Sequence, residues 1–170
     1  MNRMIRTVLI PAVAVALVLA YFSVYTVDER EYALKFRLGE VIAADMAPGL
    51  HFKVPFVNNV RKFDRREQTL DAEPQRFLTA ENKNLIVDSF VKWRITDPTQ
   101  FYISFGGGEF AQARARLREI VQQGLRDEFG QRTVQEVIAG ERSEIMRILR
   151  EQTDEATNQL GISVNDVRLK

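Results

Sequence analysis

The stretch LIVDSFVKWRITDP, residues 85–98, decides the fold because the patterning changes within it from strand to helix. Over residues 85–95 the apolar side chains, Trp93 among them, alternate between two faces, which is typical of a strand. Asp97 then supplies a helix N-cap, and Pro98 suits the first helical position. We therefore expect strands before this point and helices after it.

Short strands separated by turn signals fill the sequence before this stretch. Alternating apolar and polar side chains predict a strand over residues 31–37. Turns are indicated by Gly39, by Pro48 with Gly49, and by Pro55, which also forces an edge or a bend. The further strands predicted by the same alternation lie at residues 41–42, 51–54, 58–64, 67–72 and 75–79. Strands joined by such short connections predict antiparallel sheets.

Amphipathic helices dominate the sequence that follows. Apolar residues recur every three or four positions over residues 109–129 and again over 141–160. A shorter helix is predicted over residues 98–102. Thr133 and Glu136 form a capping-box pattern, which predicts another short helix between the two long ones.

Three glycines, Gly130, Gly140 and Gly161, are predicted to end these helices. Residues 162–170 return to strand patterning. Many antiparallel strands followed by helices and a last strand predict an α+β domain. Its first, strand-rich part is expected over residues 28–95 and its second, helix-rich part over residues 96–170.

A run without any charged side chain lies near the N-terminus, over residues 7–27, directly after Arg3 and Arg6. As a helix it would be about 31 Å long at about 1.5 Å per residue, close to the hydrocarbon thickness of a bilayer. We predict a transmembrane helix over residues 7–27, preceded by a cytoplasmic N-terminus over residues 1–6. The side chains expected to anchor it are Val8, Leu9, Ile10, Val13, Val15, Leu17, Val18, Leu19, Tyr21, Phe22, Val24 and Tyr25.

A cleaved signal peptide is the competing interpretation of this run, because Val18 and Ala20 suit a small-residue cleavage site. The apolar run continues past Ala20 with Tyr21 and Phe22, which favours an uncleaved anchor with aromatic residues at one interface. The two N-terminal arginines favour a cytoplasmic N-terminus. We therefore expect a single-pass protein of a bacterial inner membrane, with its domain in the periplasm.

Residues that carry catalysis or bind metals are scarce. The chain has no cysteine and one histidine, His51, which leaves no thiolate or two-histidine metal site and no triad without an unusual base. His51 is interpreted as a polar residue at a strand end. Residues 106–108, three glycines, follow a short helix and are interpreted as a connector, not a nucleotide loop. We expect that the protein is not an enzyme and that it binds neither a cofactor nor a metal ion. If it were a hydrolase, its nucleophile would have to be Ser89, Ser104 or Ser143.

One apolar segment has two interpretations. Leu50, Phe52, Val54, Phe56 and Val57 are interrupted by His51, Lys53 and Pro55. Packing into the core is one reading of these side chains. Dipping into the membrane interface is the other.

A basic cluster follows, formed by Arg61, Lys62, Arg65 and Arg66. A solvated strand explains it, and so does contact with lipid phosphates, worth about 1 kcal/mol for each side chain. The residues proposed for a membrane-surface contact are Leu50, Phe52, Phe56, Arg61, Lys62, Arg65 and Arg66. Nucleic acid is not expected as a partner, because it requires a strongly basic surface. The 24 basic residues of the chain, two of them Arg3 and Arg6, are nearly balanced by 23 acidic residues.

Several motifs in order resemble the stomatin, prohibitin, flotillin and HflK/C superfamily, also called the SPFH or band 7 family. The matching segments are residues 32–41 (YALKFRLGEV), 48–56 (PGLHFKVPF), 63–66 (FDRR), 87–95 (VDSFVKWRI), 126–133 (RDEFGQRT), 140–142 (GER) and 160–168 (LGISVNDVR). Each motif is weak by itself, whereas their order and spacing are specific. The closest likeness is to the bacterial HflK/C branch, notably at residues 75–79 (QRFLT) and 92–94 (KWR).

The resemblance implies a non-catalytic membrane scaffold. Its partners would be a sister subunit of the HflK type, with which it forms a hetero-oligomeric ring or cage, an FtsH-type AAA+ protease, and membrane lipids. Control over the degradation of membrane proteins is the expected function, and a stomatin-like organiser of lipid microdomains is the alternative. Family members continue into a coiled coil beyond the point where this chain stops at Lys170, so we interpret the chain as a fragment.

Overall fold

The computed structural model describes residues 13, 17, 20–44, 46–139 and 142–169 of the 170-residue chain. It divides into two compact units, Met1–Asp64 and Arg65–Lys170. In both units the paired strands run antiparallel.

The predicted N-terminal helix does not extend to Val27. Residues 13, 17 and 20–23 are helical, but Val24–Val27 form strand β1. The prediction was wrong for these four residues, Val24 and Tyr25 included, because β-branched and aromatic side chains favour a strand where a partner strand is present. Among the residues that the structure describes, no helix has the length and apolarity needed to cross a membrane. The remaining expected anchor positions, Val8, Leu9, Ile10, Val15, Val18 and Leu19, lie outside the described residues.

The first unit contains two small sheets. Strand β1 pairs with β4 (Gly49–Phe52), and β2 (Glu31–Arg37) lies between β3 (Glu40–Ala43) and β5 (Asn58–Asp64). The turn from β2 to β3 uses two left-handed residues, Leu38 and the predicted Gly39. The buried apolar side chains of the first unit are Val27, Tyr32, Ala33, Leu34, Phe36 and Phe63.

The second unit is built on a three-stranded sheet. Its strand order is β6-β7-β8, with β6 at Gln68–Leu78, β7 at Asn84–Ile95 and β8 at Ile162–Leu169. The alternation predicted for β7 is confirmed, since Val87, Val91 and Trp93 are buried while Ile86 is exposed.

Two of the predicted strands are in fact one. The strands predicted at residues 67–72 and 75–79 both fall on the single strand β6 (Gln68–Leu78), whose register shifts between Ala72 and Gln75. Glu73 and Pro74 form the irregularity. Because β6 lies at the sheet edge, Pro74 interrupts the ladder at a bulge without ending the strand.

The described part of the second unit contains four helices: α1 (Pro98–Ser104), α2 (Phe110–Gly130), α3 (Val134–Ala139) and α4 (Arg142–Asn158). Asp97 caps α1 as predicted, with its carboxylate accepting from the backbone N–H of Thr99 at 2.9 Å and of Gln100 at 3.0 Å. The predicted capping box is also formed, since the Glu136 carboxylate accepts from the backbone N–H of Thr133 at 2.7 Å.

The apolar row of α2 is buried at Ala113, Leu117, Val121, Leu125 and Phe129. Helices α2 and α4 pack closely where Gly124 lies, because a Cβ there would come 3.0 Å from Leu149 Cδ2. Gly130 does not end α2 by a left-handed turn as expected; the helix includes it, and Gln131 follows in right-handed conformation. Gly161 does adopt the left-handed conformation, with φ +78°.

Candidate membrane-facing surface

One face of the β1–β4 pair in the first unit is apolar and exposed. Val24 lies opposite Phe52, and Thr26 lies opposite Leu50. Because side chains alternate along a strand, all four point to the same side. Leu50 is 61% exposed and Phe52 67%. The opposite side of the pair carries the buried Val27 with Tyr25 and His51.

The turn that follows β4 presents a more unusual side chain. Phe56 is 94% exposed, and its backbone has φ +66°. This left-handed conformation is uncommon for a bulky residue and costs about 1–3 kcal/mol. The backbone of the turn is held in place because Asn58 N donates to the Val54 carbonyl oxygen at 3.0 Å. Phe56 therefore presents its aromatic ring to solvent from a strained turn.

Further apolar side chains of the same unit are exposed. Tyr21 and Phe22 are exposed, and their rings meet edge to face at 5.8 Å. Lys53 N donates to the Ser23 carbonyl oxygen at 2.7 Å, which joins this segment to the end of β4. Val54 and Val57 are exposed as well. We use the name apolar surface for Tyr21, Phe22, Val24, Leu50, Phe52, Val54, Phe56 and Val57.

The core interpretation of the segment from Leu50 to Val57 is therefore wrong, because all five of its apolar side chains are exposed. Pro55 and the short strand β4 keep the segment from forming a strand long enough to cover the unit. Sequence reasoning did not include Val24 in this surface, because residues 24–27 were assigned to the N-terminal helix. The alternation of Val24 and Thr26 with Tyr25 and Val27 was the available signal.

The basic cluster is divided between the two units of the chain. Arg61 and Lys62 are neighbours on β5, so they point to opposite faces of the sheet. The charge of Lys62 is balanced by Glu31, whose carboxylate lies 2.7 Å from Nζ. Arg65 and Arg66 are exposed but belong to the second unit.

His51 has a structural role in this unit. Its Nε2 lies 2.6 Å from the Ala47 carbonyl oxygen, and its ring stacks on Tyr25 with centroids 5.7 Å apart. Both contacts fix the β1–β4 pair and the loop before it. This agrees with the interpretation of His51 as a polar residue at a strand end.

The serines of the enzyme alternative lie on separate elements. Ser89 is 2% exposed on the buried face of β7, where substrate has no access. Ser104 ends α1 and Ser143 lies in the first turn of α4. In the described part of the chain, no three histidine, cysteine, aspartate or glutamate side chains gather as a metal site.

Comparison with known proteins identifies relatives over most of the chain. Residues 25–170 match the model of the family described as SPFH domain / Band 7 family. A protein of Haemophilus influenzae named "Protein HflC" is 40% identical over 174 residues, which cover 97% of this chain and 59% of that protein. A protein of Escherichia coli named "Modulator of FtsH protease HflC" is 38% identical over 146 residues, covering 82% of this chain and 44% of its own length.

A third relative, "Protein HflC" of Vibrio cholerae, is 38% identical over 144 residues and 81% of this chain. The chain spans about half the length of the curated relatives that it matches. The likeness expected from the motifs at residues 75–79 and 92–94 is confirmed, because the relatives are of the HflC type.

Proposed function

Because the chain belongs to the SPFH domain / Band 7 family, we propose that it is a non-catalytic membrane scaffold subunit that modulates an FtsH-type membrane protease. The observation that carries this proposal is the 38% identity, over 82% of the chain, to a protein named as a modulator of FtsH protease. The chain spans 44% of that relative, so the activity of the whole relative is assigned here by inference.

The chemistry of the residues supports a scaffold over an enzyme. The single histidine is engaged with the Ala47 carbonyl oxygen and the Tyr25 ring. One of the three candidate serines is buried. A modulator of this kind acts by binding.

The proposed partners are a sister subunit of the HflK type, an FtsH-type protease and membrane lipids. We expect the subunits to form a hetero-oligomeric ring or cage. In such an assembly one surface of each subunit meets a different surface of its neighbour, and rotation closes the ring.

The membrane contact has two parts in this proposal. In the first part, the uncharged run predicted as a transmembrane helix over residues 7–27, with the strand residues Val24–Val27 excepted, anchors the chain. Its N-terminus then lies in the cytoplasm and its domain in the periplasm of a bacterial inner membrane. The apolar surface of the first unit then dips into the outer part of the bilayer. Phe52 and Phe56 are its largest members beside Tyr21 and Phe22, and burying such a side chain is worth about 1.5–3 kcal/mol.

The proposal is tested by isolating the tagged full-length protein in a mild detergent. The co-purifying proteins are identified by mass spectrometry, and the native size of the complex is measured. A megadalton-scale assembly containing an HflK-like subunit and an FtsH-type protease is expected. A small particle with neither protein contradicts the assignment.

A second candidate function is the organisation of lipid domains, which the exposure of the apolar surface favours. It requires binding to lipid without a protease partner. Charge reversal of Arg61, Lys62, Arg65 and Arg66 should then weaken the binding of the protein to anionic liposomes in a salt-dependent manner. Unchanged liposome binding by this variant counts against the second candidate.

A further inference from the structure

Three arginines on one row of α2 have no carboxylate partner within the described ranges of the chain. Arg114, Arg118 and Arg126 are all exposed. With Gln122 they follow each other at every fourth position, so they lie on one line along the helix surface. The line is about 18 Å long at about 1.5 Å per residue. We call Arg114, Arg118 and Arg126 the basic row.

Several other arginines of the helical region are compensated by carboxylates, whereas Arg142 donates to the Leu169 carbonyl oxygen. The pairs are Arg116 with Glu119 at 2.7 Å, Arg132 with Glu128 at 3.1 Å, and Arg147 with Glu144 at 2.6 Å and with Glu151 at 2.8 Å. The acidic side chains of α2 nearest to the basic row are engaged elsewhere. Glu119 binds Arg116, and Asp127 accepts from Gln123 Nε2 at 2.9 Å. The basic row therefore differs from these paired arginines.

Helix stability does not explain the basic row. Like charges four residues apart, such as Arg114 and Arg118, destabilise a helix, whereas a glutamate at one of the two positions would stabilise it. Burial does not explain it either, because the apolar row of α2 already faces the core. A partner that supplies carboxylates explains both the exposure and the missing counter-charges.

The surroundings of the basic row favour a protein partner over a bilayer or a nucleic acid. The row beside it begins with the exposed small residues Ala111 and Ala115, which allow a second backbone to approach, and continues with Glu119, Gln123 and Asp127. Helices that lie on membranes combine their basic residues with exposed aromatic or large aliphatic ones. Neither row carries such a residue. The net charge of the chain is +1, far below that of a nucleic-acid-binding domain.

We propose that the basic row is the docking surface for an acidic helical segment of a protein partner. Carboxylates at every fourth position of a helix repeat at the same spacing as the three arginines, so the two lines of charge match. This inference deepens the proposed function, on which it rests, by naming a surface through which the scaffold meets another subunit. The apolar surface of the first unit has no part in it.

The test uses the full chain in mild detergent and a synthetic helical peptide with glutamate at every fourth position. A second peptide of the same length carries glutamine at those positions. The variant R114Q/R118Q/R126Q removes the basic row, and glutamine preserves helix propensity. The variant R116Q/R147Q/R150Q removes the same charge from other exposed positions and serves as the matched control. Far-ultraviolet circular dichroism establishes that both variants are folded.

We expect the glutamate peptide to bind at low salt and to bind at least tenfold more weakly to the variant without the basic row. The control variant should lose no more than twofold, and the glutamine peptide should not bind. Equal losses for the two variants, or binding of both peptides, overturns the proposal. Heparin that binds as tightly as the peptide and with the same dependence on the row also overturns it, because the surface then attracts any polyanion.

Failure of this inference is distinguishable from failure of the proposed function. Co-purification of the protease and the sister subunit is measured with the unaltered chain and with both variants. If the unaltered chain brings down neither protein, the proposed function fails whatever the peptides do. If it brings down both, and the variant without the basic row binds the glutamate peptide as before, only the docking surface is wrong.

Discussion

Val24 lies directly opposite Phe52 in the antiparallel pair of β1 and β4, and both side chains are exposed. This register places one residue of the presumed anchor and one residue of a distant apolar segment on a common face. The pairing gives the apolar surface a rigid base, because main-chain hydrogen bonds of two strands hold it. Phe56 projects from the turn beyond that base.

The first prediction concerns the depth of Phe56 in the membrane. The chain has no cysteine, so Phe56→Cys introduces a single site for a polarity-sensitive fluorophore. In lipid nanodiscs we expect the emission at position 56 to shift to the blue relative to the protein in detergent-free denaturant. Ile86→Cys, at an exposed apolar position of the second unit, is the matched control. Its fluorophore should show the emission wavelength of a label in water. Identical, water-like emission at both positions contradicts the membrane contact.

The second prediction concerns Gly161, where β8 begins. A Cβ at this position would collide with the Asp97 carbonyl oxygen and lie 2.7 Å from Phe101 N. The backbone φ of +78° adds strain for any other residue. We expect Gly161→Ala to lower the free energy of unfolding by about 2 kcal/mol or more.

Gly130→Ala is the control for this change, because nothing lies within 4 Å of the added Cβ and the residue is helical. We expect it to raise the free energy of unfolding by about 0.5–1 kcal/mol. Chemical denaturation of both variants measures the difference. Equal effects of the two substitutions would show that the close approach at Gly161 does not limit the fold.

The third prediction concerns the loss of folding stability at acidic pH. Glu67 accepts from Asn165 Nδ2 at 2.8 Å and lies 3.3 Å from Lys92 Nζ, so it links β7 and β8 to the start of β6. The hydrogen bond from Asn165 and then that from Lys92 lower the pKa of Glu67 below its ordinary value of 4.5. A lowered pKa in the folded state contributes stability above pH 4.5, and this contribution disappears as the pH falls through the folded value.

Glu67→Gln should therefore reduce the loss of stability on acidification from neutral pH to below 4.5, while keeping a hydrogen bond to Asn165. Unfolding curves at several pH values for both proteins measure this change. The effect is small because the carboxylate is exposed and screened by solvent. Parallel pH profiles for the two proteins contradict the assigned role of Glu67.

The fourth prediction separates a scaffold from a hydrolase. Substitution of the accessible serines, Ser104→Ala with Ser143→Ala, should leave the effect of the protein on protease substrates unchanged, because neither side chain serves as a nucleophile. Complementation of a deletion strain with the double variant measures this. Loss of complementation by a variant that is folded and abundant favours the enzyme alternative.

Much of the second unit could be predicted from local patterns. The alternation in β7, the Asp97 cap and the capping box at Thr133 each depend on neighbouring residues, so the sequence contains the whole signal. The α+β class follows from these elements. The single strand β6 could not be predicted, because Pro74 interrupts its pattern and only pairing with β7 bridges the irregularity.

The first unit was harder to predict because its key contacts join distant segments. Val24–Val27 is apolar enough to continue a membrane helix, and only its pairing with Gly49–Phe52 makes it a strand. The exposure of Phe56 depends on a left-handed backbone that the residue type disfavours. The basic row of α2 was visible in the sequence, whereas the absence of counter-charges required the positions of the neighbouring carboxylates.

The most direct test of the central claim is the half-life of a membrane protein degraded by the FtsH-type protease, measured by pulse-chase in the native membrane. Cells that lack this protein are compared with cells in which its full-length form is restored. The account predicts that the half-life changes at least twofold on deletion and returns to its original value on restoration. An unchanged half-life, with the protease present at its normal level, would contradict it.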